Sequence, residues 1–175
     1  MRIYDGSPRQ DFEEVFRSIG AFLDQRGMKD VLLLEAPDGF IVQGLVATTG
    51  GSSWSDSFGR QTKETLTFLD DDIARFMEEA AGRRGQGAST AAGPAGFYEH
   101  AFRVLGRYVD EQKPRDVFFF EQEGAFVVRL LIAGPTGNHH VLAEFTRDDV
   151  EQMIGQGPSL RARTVASPTS TAQSR

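Results

Sequence analysis

Asp30-Val31-Leu32-Leu33-Leu34-Glu35 occurs a second time, in kind, as Asp116-Val117-Phe118-Phe119-Phe120-Glu121. Four apolar residues between two acids read as a short strand that is apolar on both faces, since alternate side chains of a strand point to opposite sides. The shared framing by Asp and Glu sets the two segments 86 residues apart.

Carrying that shift outward aligns Pro8 with Pro94, Glu13 with Glu99, Phe16 with Phe102, Arg17 with Arg103, Gly20 with Gly106 and Asp24 with Asp110. Beyond the strands it aligns Phe40 with Phe126, Val42 with Val128 and Leu45 with Leu131. About a third of roughly 39 ungapped positions are identical, far above what composition gives, so the chain reads as one unit used twice.

Before each strand, apolar residues recur at helical spacing. Phe12, Val15, Phe16, Ile19, Phe22 and Leu23 form one face, and Tyr98, Ala101, Phe102, Leu105, Tyr108 and Val109 repeat it. Ser7-Pro8 is the expected start of the first helix and Gly27 its exit; Pro94 and Pro114 bracket the second. After each strand, Pro37-Asp38-Gly39 and Gln122-Glu123-Gly124 predict tight hairpins into Phe40 to Val46 and Phe126 to Ile132. A third strand is expected near Thr65 to Leu69 and Val141 to Phe145, where the offset drops to 77 because the first half carries a longer loop. Asp70-Asp71-Asp72 and Thr146-Arg147-Asp148-Asp149 then open a second helix in each half, acids favouring the positive end of a helix.

The expected fold is therefore α+β: a helix, a three-stranded antiparallel meander and a helix, duplicated and packed as one pseudo-twofold domain. The expected boundaries are residues 1–81 for the first unit, 82–93 for a flexible linker, 94–157 for the second unit and 158–175 for a disordered polar tail. Apolar residues on both faces of the first strands require a cover for the second face, from packing of the two units or from a homodimer.

Composition removes several classes of function. The 175 residues are 39% hydrophobic and 25% charged, with 14 Phe, enough for a core and against disorder. No apolar run approaches the roughly 18 residues of a membrane span, the first residues lack a secretory-signal layout, and a cytoplasmic location is expected. Zero Cys excludes thiol catalysis, disulfides and cysteine-held metals. The net charge is −6; five Arg (83, 84, 161, 163 and 175) lie in the linker and tail, and the remaining 14 Lys and Arg face 25 acids, a formal −11. The order helix, three strands, helix resembles that of double-stranded RNA-binding domains, but Asp70-Asp71-Asp72 and Asp148-Asp149 stand where phosphate contacts need lysines, which argues against nucleic acid.

Candidate sites are few. The inserted loop Ala47 to Glu64 holds the only Trp, and Trp54, Phe58 and Arg60 are the candidate binding residues, aromatic and cationic groups suited to a protein partner. The alternative is a loop excursion with Trp54 laid over the core. Asn138-His139-His140 is not expected to hold a metal, because adjacent residues of a strand face opposite ways. Glu35 and Glu121 are matched strand-end acids without a catalytic partner set, expected to cap or solvate a hairpin; Asp30 with Asp116 and Arg17 with Arg103 are likewise matched, and an ion pair within each unit explains them. The expectation is a non-enzymatic protein-binding or adaptor module with no cofactor, binding a protein partner or itself. The alternative is a small-molecule-binding protein or enzyme with a pocket at the interface of the units, under the Ala47–Glu64 loop.

Overall fold

The computed structural model describes residues 11–47, 61–85, 96–156 and 163–164. In chain order it contains α1 (Phe12–Arg26), β1 (Met28–Ala36), β2 (Gly39–Ala47), β3 (Gln61–Leu69), α2 (Asp70–Gly85), α3 (Phe97–Gln112), β4 (Asp116–Gln122), β5 (Ala125–Gly134), β6 (Gly137–Phe145), α4 (Arg147–Gln156) and β7 (Arg163–Thr164). This is an α+β fold with the expected element order in each half. β3 begins at Gln61, earlier than its apolar residues suggested, and α2 runs on to Gly85, into the stretch read as linker. In the stretch read as tail, Arg163 and Thr164 pair with Glu144 and Ala143.

All strands lie antiparallel in one sheet of order β3-β2-β1-β4-β5-β6-β7. The halves are thus joined edge to edge, through Leu32, Leu33 and Leu34 opposite Phe120, Phe119 and Phe118. The pairing is centred on Leu33 and Phe119, which are 86 residues apart, and the flanking pairs exchange partners at that same offset.

One sheet face carries Val31, Leu33, Phe40, Val42, Val117, Phe119, Phe126 and Val128, all essentially without solvent contact. Onto it pack the apolar stripes of α1 and α3, and Phe16, Phe102, Phe119 and Phe126 meet there, with Phe102 and Phe119 ring centres 4.8 Å apart in an edge-on contact. Aromatic pairs of this geometry add roughly 0.5–1.5 kcal/mol each beyond area burial. Phe22, Phe68 and Phe76 extend this core beneath α2.

The two central helices cap one another. Both carboxylate oxygens of Asp110, near the end of α3, accept from the Phe12 and Glu13 amides at the start of α1, at 3.0 and 2.9 Å. Asp24, near the end of α1, accepts from the Tyr98 and Glu99 amides at 3.1 and 2.8 Å. Each pair of otherwise unsatisfied first-turn N–H groups is served by the other helix; Asp11 and Gly96, the local N-cap residues, give no side-chain cap. Ser7-Pro8 and Pro94, the expected helix starts, lie outside the described residues. The close approach depends on glycine: a Cβ on Gly20 would stand 2.3 Å from the Tyr98 carbonyl oxygen, and one on Gly106 2.3 Å from that of Phe12.

Arg17 pairs both within its own half, with Glu14 at 3.9 Å, and across to the other half. Its Nε bonds Glu99 at 3.1 Å across the α1–α3 contact, while Arg107 makes a two-pronged bridge to Glu13. The Arg107 guanidinium holds the Glu13 carboxyl below its usual range against the opposing effect of burial.

The outer helices cap themselves. Thr146 and Asp149 exchange hydrogen bonds at the start of α4, the side chain of each accepting from the backbone amide of the other, and Asp72 accepts from the Leu69 amide at the start of α2.

Candidate functional site

Every helix packs on the same sheet face, so the edge-to-edge junction leaves the other face uncovered by any described element. Leu32, Leu34 and Ile41 from the first half lie there beside Phe118, Phe120, Val127 and Leu142 from the second, each half-buried. Among the described residues, joining the halves edge to edge does not cover this face. Thr65 and Thr67 border this apolar strip on β3; Arg129, whose guanidinium lies 5.1 Å from the Phe118 ring centre, and exposed Glu144 border it on β5 and β6.

At one end of the β1–β4 seam the face deepens into a cavity of about 450 Å³. Its origin is a β-bulge. Lys29 pairs with Leu45 and Leu32 with Gln43, so Asp30 and Val31 together face the single residue Gly44. Asp30 takes the left-handed conformation, φ 50°, which Asp tolerates better than most side chains. Gly44 is required opposite, because a Cβ there would lie 2.5 Å from Met28 Cγ. The bulge turns β1 away from β4 beyond Leu32, and the gap is the cavity: Asp30, Val31 and Leu32 form one wall, Phe120, Glu121 and Gln122 the other. Gln43 and Leu45 of β2 and exposed Lys63 of β3 complete it.

Glu121, expected to cap or solvate a hairpin, instead ties this seam together. Its Oε2 accepts from the Tyr98 hydroxyl at 2.6 Å and from the Val31 amide at 3.3 Å. The bulge takes the Val31 N–H out of the ladder, and Glu121 satisfies it. Burial, then the Glu121 hydrogen bond, push the Tyr98 hydroxyl far above its normal titration range, so Tyr98 is a donor at all ordinary pH.

The loop residues Trp54, Phe58 and Arg60 lie outside the described residues; the ends of their segment, Ala47 and Gln61, pair with each other two residues from Leu45 and Lys63 of the cavity. His139 and His140 are exposed on β6, opposite Ile132 and Leu131. Among the described residues no group of three or more His, Asp or Glu is placed to hold a metal ion, and no helix is long and apolar enough to cross a membrane. Comparison with protein-family models, with curated proteins and with solved structures returns no match.

Proposed function

We propose that this chain is a non-enzymatic protein-binding module built from two copies of one α+β unit, and that the helix-free sheet face is its contact surface, with a second copy of the chain as the partner it accepts. The exchange of partners at a constant offset of 86, in Leu33–Phe119, Asp24–Asp110 and Gly20–Gly106, supports an approximate twofold axis through the seam.

The observation that carries the binding reading is the apolar strip itself: seven half-buried aliphatic and aromatic side chains in one continuous patch, rimmed by polar groups. The rim argues for self-association. Lys63 and Arg129 balance Asp30 and Glu144, all four exposed, so the face is complementary to itself in charge although the chain as a whole carries −6. An approximate axis through the face also suits an isologous contact, in which each patch meets its own copy. Stacked sheets of this kind bury side chains in a layer about 10 Å thick.

Sedimentation velocity of the full chain tests this. The expected result is a dimer at micromolar concentration that Leu34→Asp and Phe118→Asp each convert to a folded monomer. A wild-type chain that stays monomeric at about 100 μM, or a dimer indifferent to both substitutions, overturns the reading.

A further inference from the structure

We infer that the cavity at the β1–β4 seam is a binding site for an organic cation, an ammonium or guanidinium group carried on an aliphatic stem. The walls fit the stem: Leu32, Leu45 and Phe120 present apolar surface, and about 450 Å³ is ample for a small ligand of this class. The charged end is decided by two carboxylates on facing walls. Glu121 is held in place rather than swinging in solvent, and both of its fixing bonds fall on Oε2. Oε1 takes no hydrogen bond among the described residues, which leaves it available to an N–H donor. Asp30 stands across the gap on the bulge, and Phe120 lines the same cavity, an aromatic ring of the kind that attracts a cation. Lys63 opposes a cation from an exposed position, where solvent screens it as it does exposed Asp30. Two carboxylates against one ammonium leave the lining a net negative charge, with Asp30 exposed, like Lys63, and Glu121 half-buried.

Leu32 and Phe120 belong to both the strip and the cavity, whereas Leu34 and Phe118 do not line the cavity, so Phe118→Asp separates this site from the proposed dimer contact.

The experiment is an NMR titration of the isotopically labelled full chain, and of its Phe118→Asp variant, with n-hexylammonium, n-hexanol and hexanoate. Hexylammonium is expected to shift the amides of Leu32, Phe120 and Gln122 and to bind most tightly, hexanoate least. Asp30→Asn keeps a residue that accepts the left-handed conformation, and Glu121→Gln keeps an acceptor for Tyr98; each is expected to weaken the ammonium about threefold to tenfold while leaving hexanol unchanged. Lys63→Gln is expected to tighten it.

Acetyl-Leu-Lys-Leu-amide in a parallel titration separates the sources of the cation. Tighter binding than hexylammonium assigns the site to a basic side chain of a protein, weaker binding to a free amine. Equal affinity for hexanol and hexylammonium, a preference for hexanoate, or no shift at the seam in either protein overturns the proposal. Loss of dimerisation with the ammonium preference intact would count against the face and not against this site.

Discussion

Gly20→Ala places one methyl group where α1 crosses the start of α3. The new Cβ would lie 2.3 Å from the Tyr98 carbonyl oxygen, 2.7 Å from its carbon and 2.9 Å from the Glu99 nitrogen. All three are backbone atoms that cannot rotate away, so the helices must part by about 1 Å to reach an ordinary contact. That movement stretches the Asp24 bonds to the Tyr98 and Glu99 amides, now 3.1 and 2.8 Å, past useful length. Overpacking costs about 1–3 kcal/mol and a lost cap about 1 kcal/mol, against a gain of about 1 kcal/mol from replacing Gly inside a helix. The net is a loss of about 2 kcal/mol, or about 4–8 °C in Tm for a chain of this size. Gly106→Ala, 2.3 Å from the Phe12 carbonyl oxygen, should cost the same within about 1 kcal/mol. Gly155→Ala, with nothing within 4 Å of its Cβ, is the control and should be neutral or stabilising. Urea denaturation followed by circular dichroism reads all three. A Gly20→Ala chain as stable as the wild type would refute the reasoning, because no close backbone crossing would then exist at that point.

Tyr98→Phe removes a donor to a half-buried carboxylate and should destabilise by about 1–2 kcal/mol in the same assay; Tyr108→Phe, whose hydroxyl is raised by burial alone with a minor contribution from Glu111, should cost less. The interhelical caps give a pH signature. Burial, outweighing their N–H bonds, holds the carboxyls of Asp24 and Asp110 above their usual value of 3.8. A carboxyl with a raised folded pKa binds its proton more tightly when folded, so its charged form subtracts stability above that pKa and ceases to do so as pH falls through it. Wild type should therefore gain stability relative to Asp24→Asn/Asp110→Asn between about pH 7 and pH 4. A constant difference across that range would contradict the assignment. Glu13 acts with the opposite sign: its contribution is present above 4.5 and lost below, as pH falls through its lowered value.

The helices and strands of each half were legible because they rest on periodicity: the Phe12-Val15-Phe16-Ile19 spacing admits a helix and little else, and Asp116-Val117-Phe118-Phe119-Phe120-Glu121 is too short and too apolar for anything but a central strand. The doubled apolarity of β1 and β4 also marked an apolar second face. Contacts between halves were not legible in the same way. Asp24 and Asp110 look like ordinary acids at helix ends, and their spacing carries no sign that each caps the other helix. Glu121 read as a solvated strand end because only the fold brings Tyr98 to it. The bulge left faint local marks, Asp30 in a position that needs a left-handed backbone and Gly44 where its counterpart is Leu130, and the cavity follows from it. The aromatic loop that drew attention in the sequence, with Trp54, Phe58 and Arg60, is outside the described residues, while the described face and cavity are built from strand residues on either side of the seam.

The claim on which the rest depends is that the halves complete each other, through β1 against β4 and each central helix capping its partner. Expression of residues 1–85 alone, followed by sedimentation and a nitrogen–proton NMR spectrum, tests it most directly. That half leaves the edge of β1 unpaired, the first-turn amides of α1 without Asp110 and Phe16 without Phe102 and Phe119. The expected result is an unfolded or aggregated chain, or a dimer of the half that restores these contacts with its own copy. A well-dispersed spectrum from a stable, soluble monomer would contradict it.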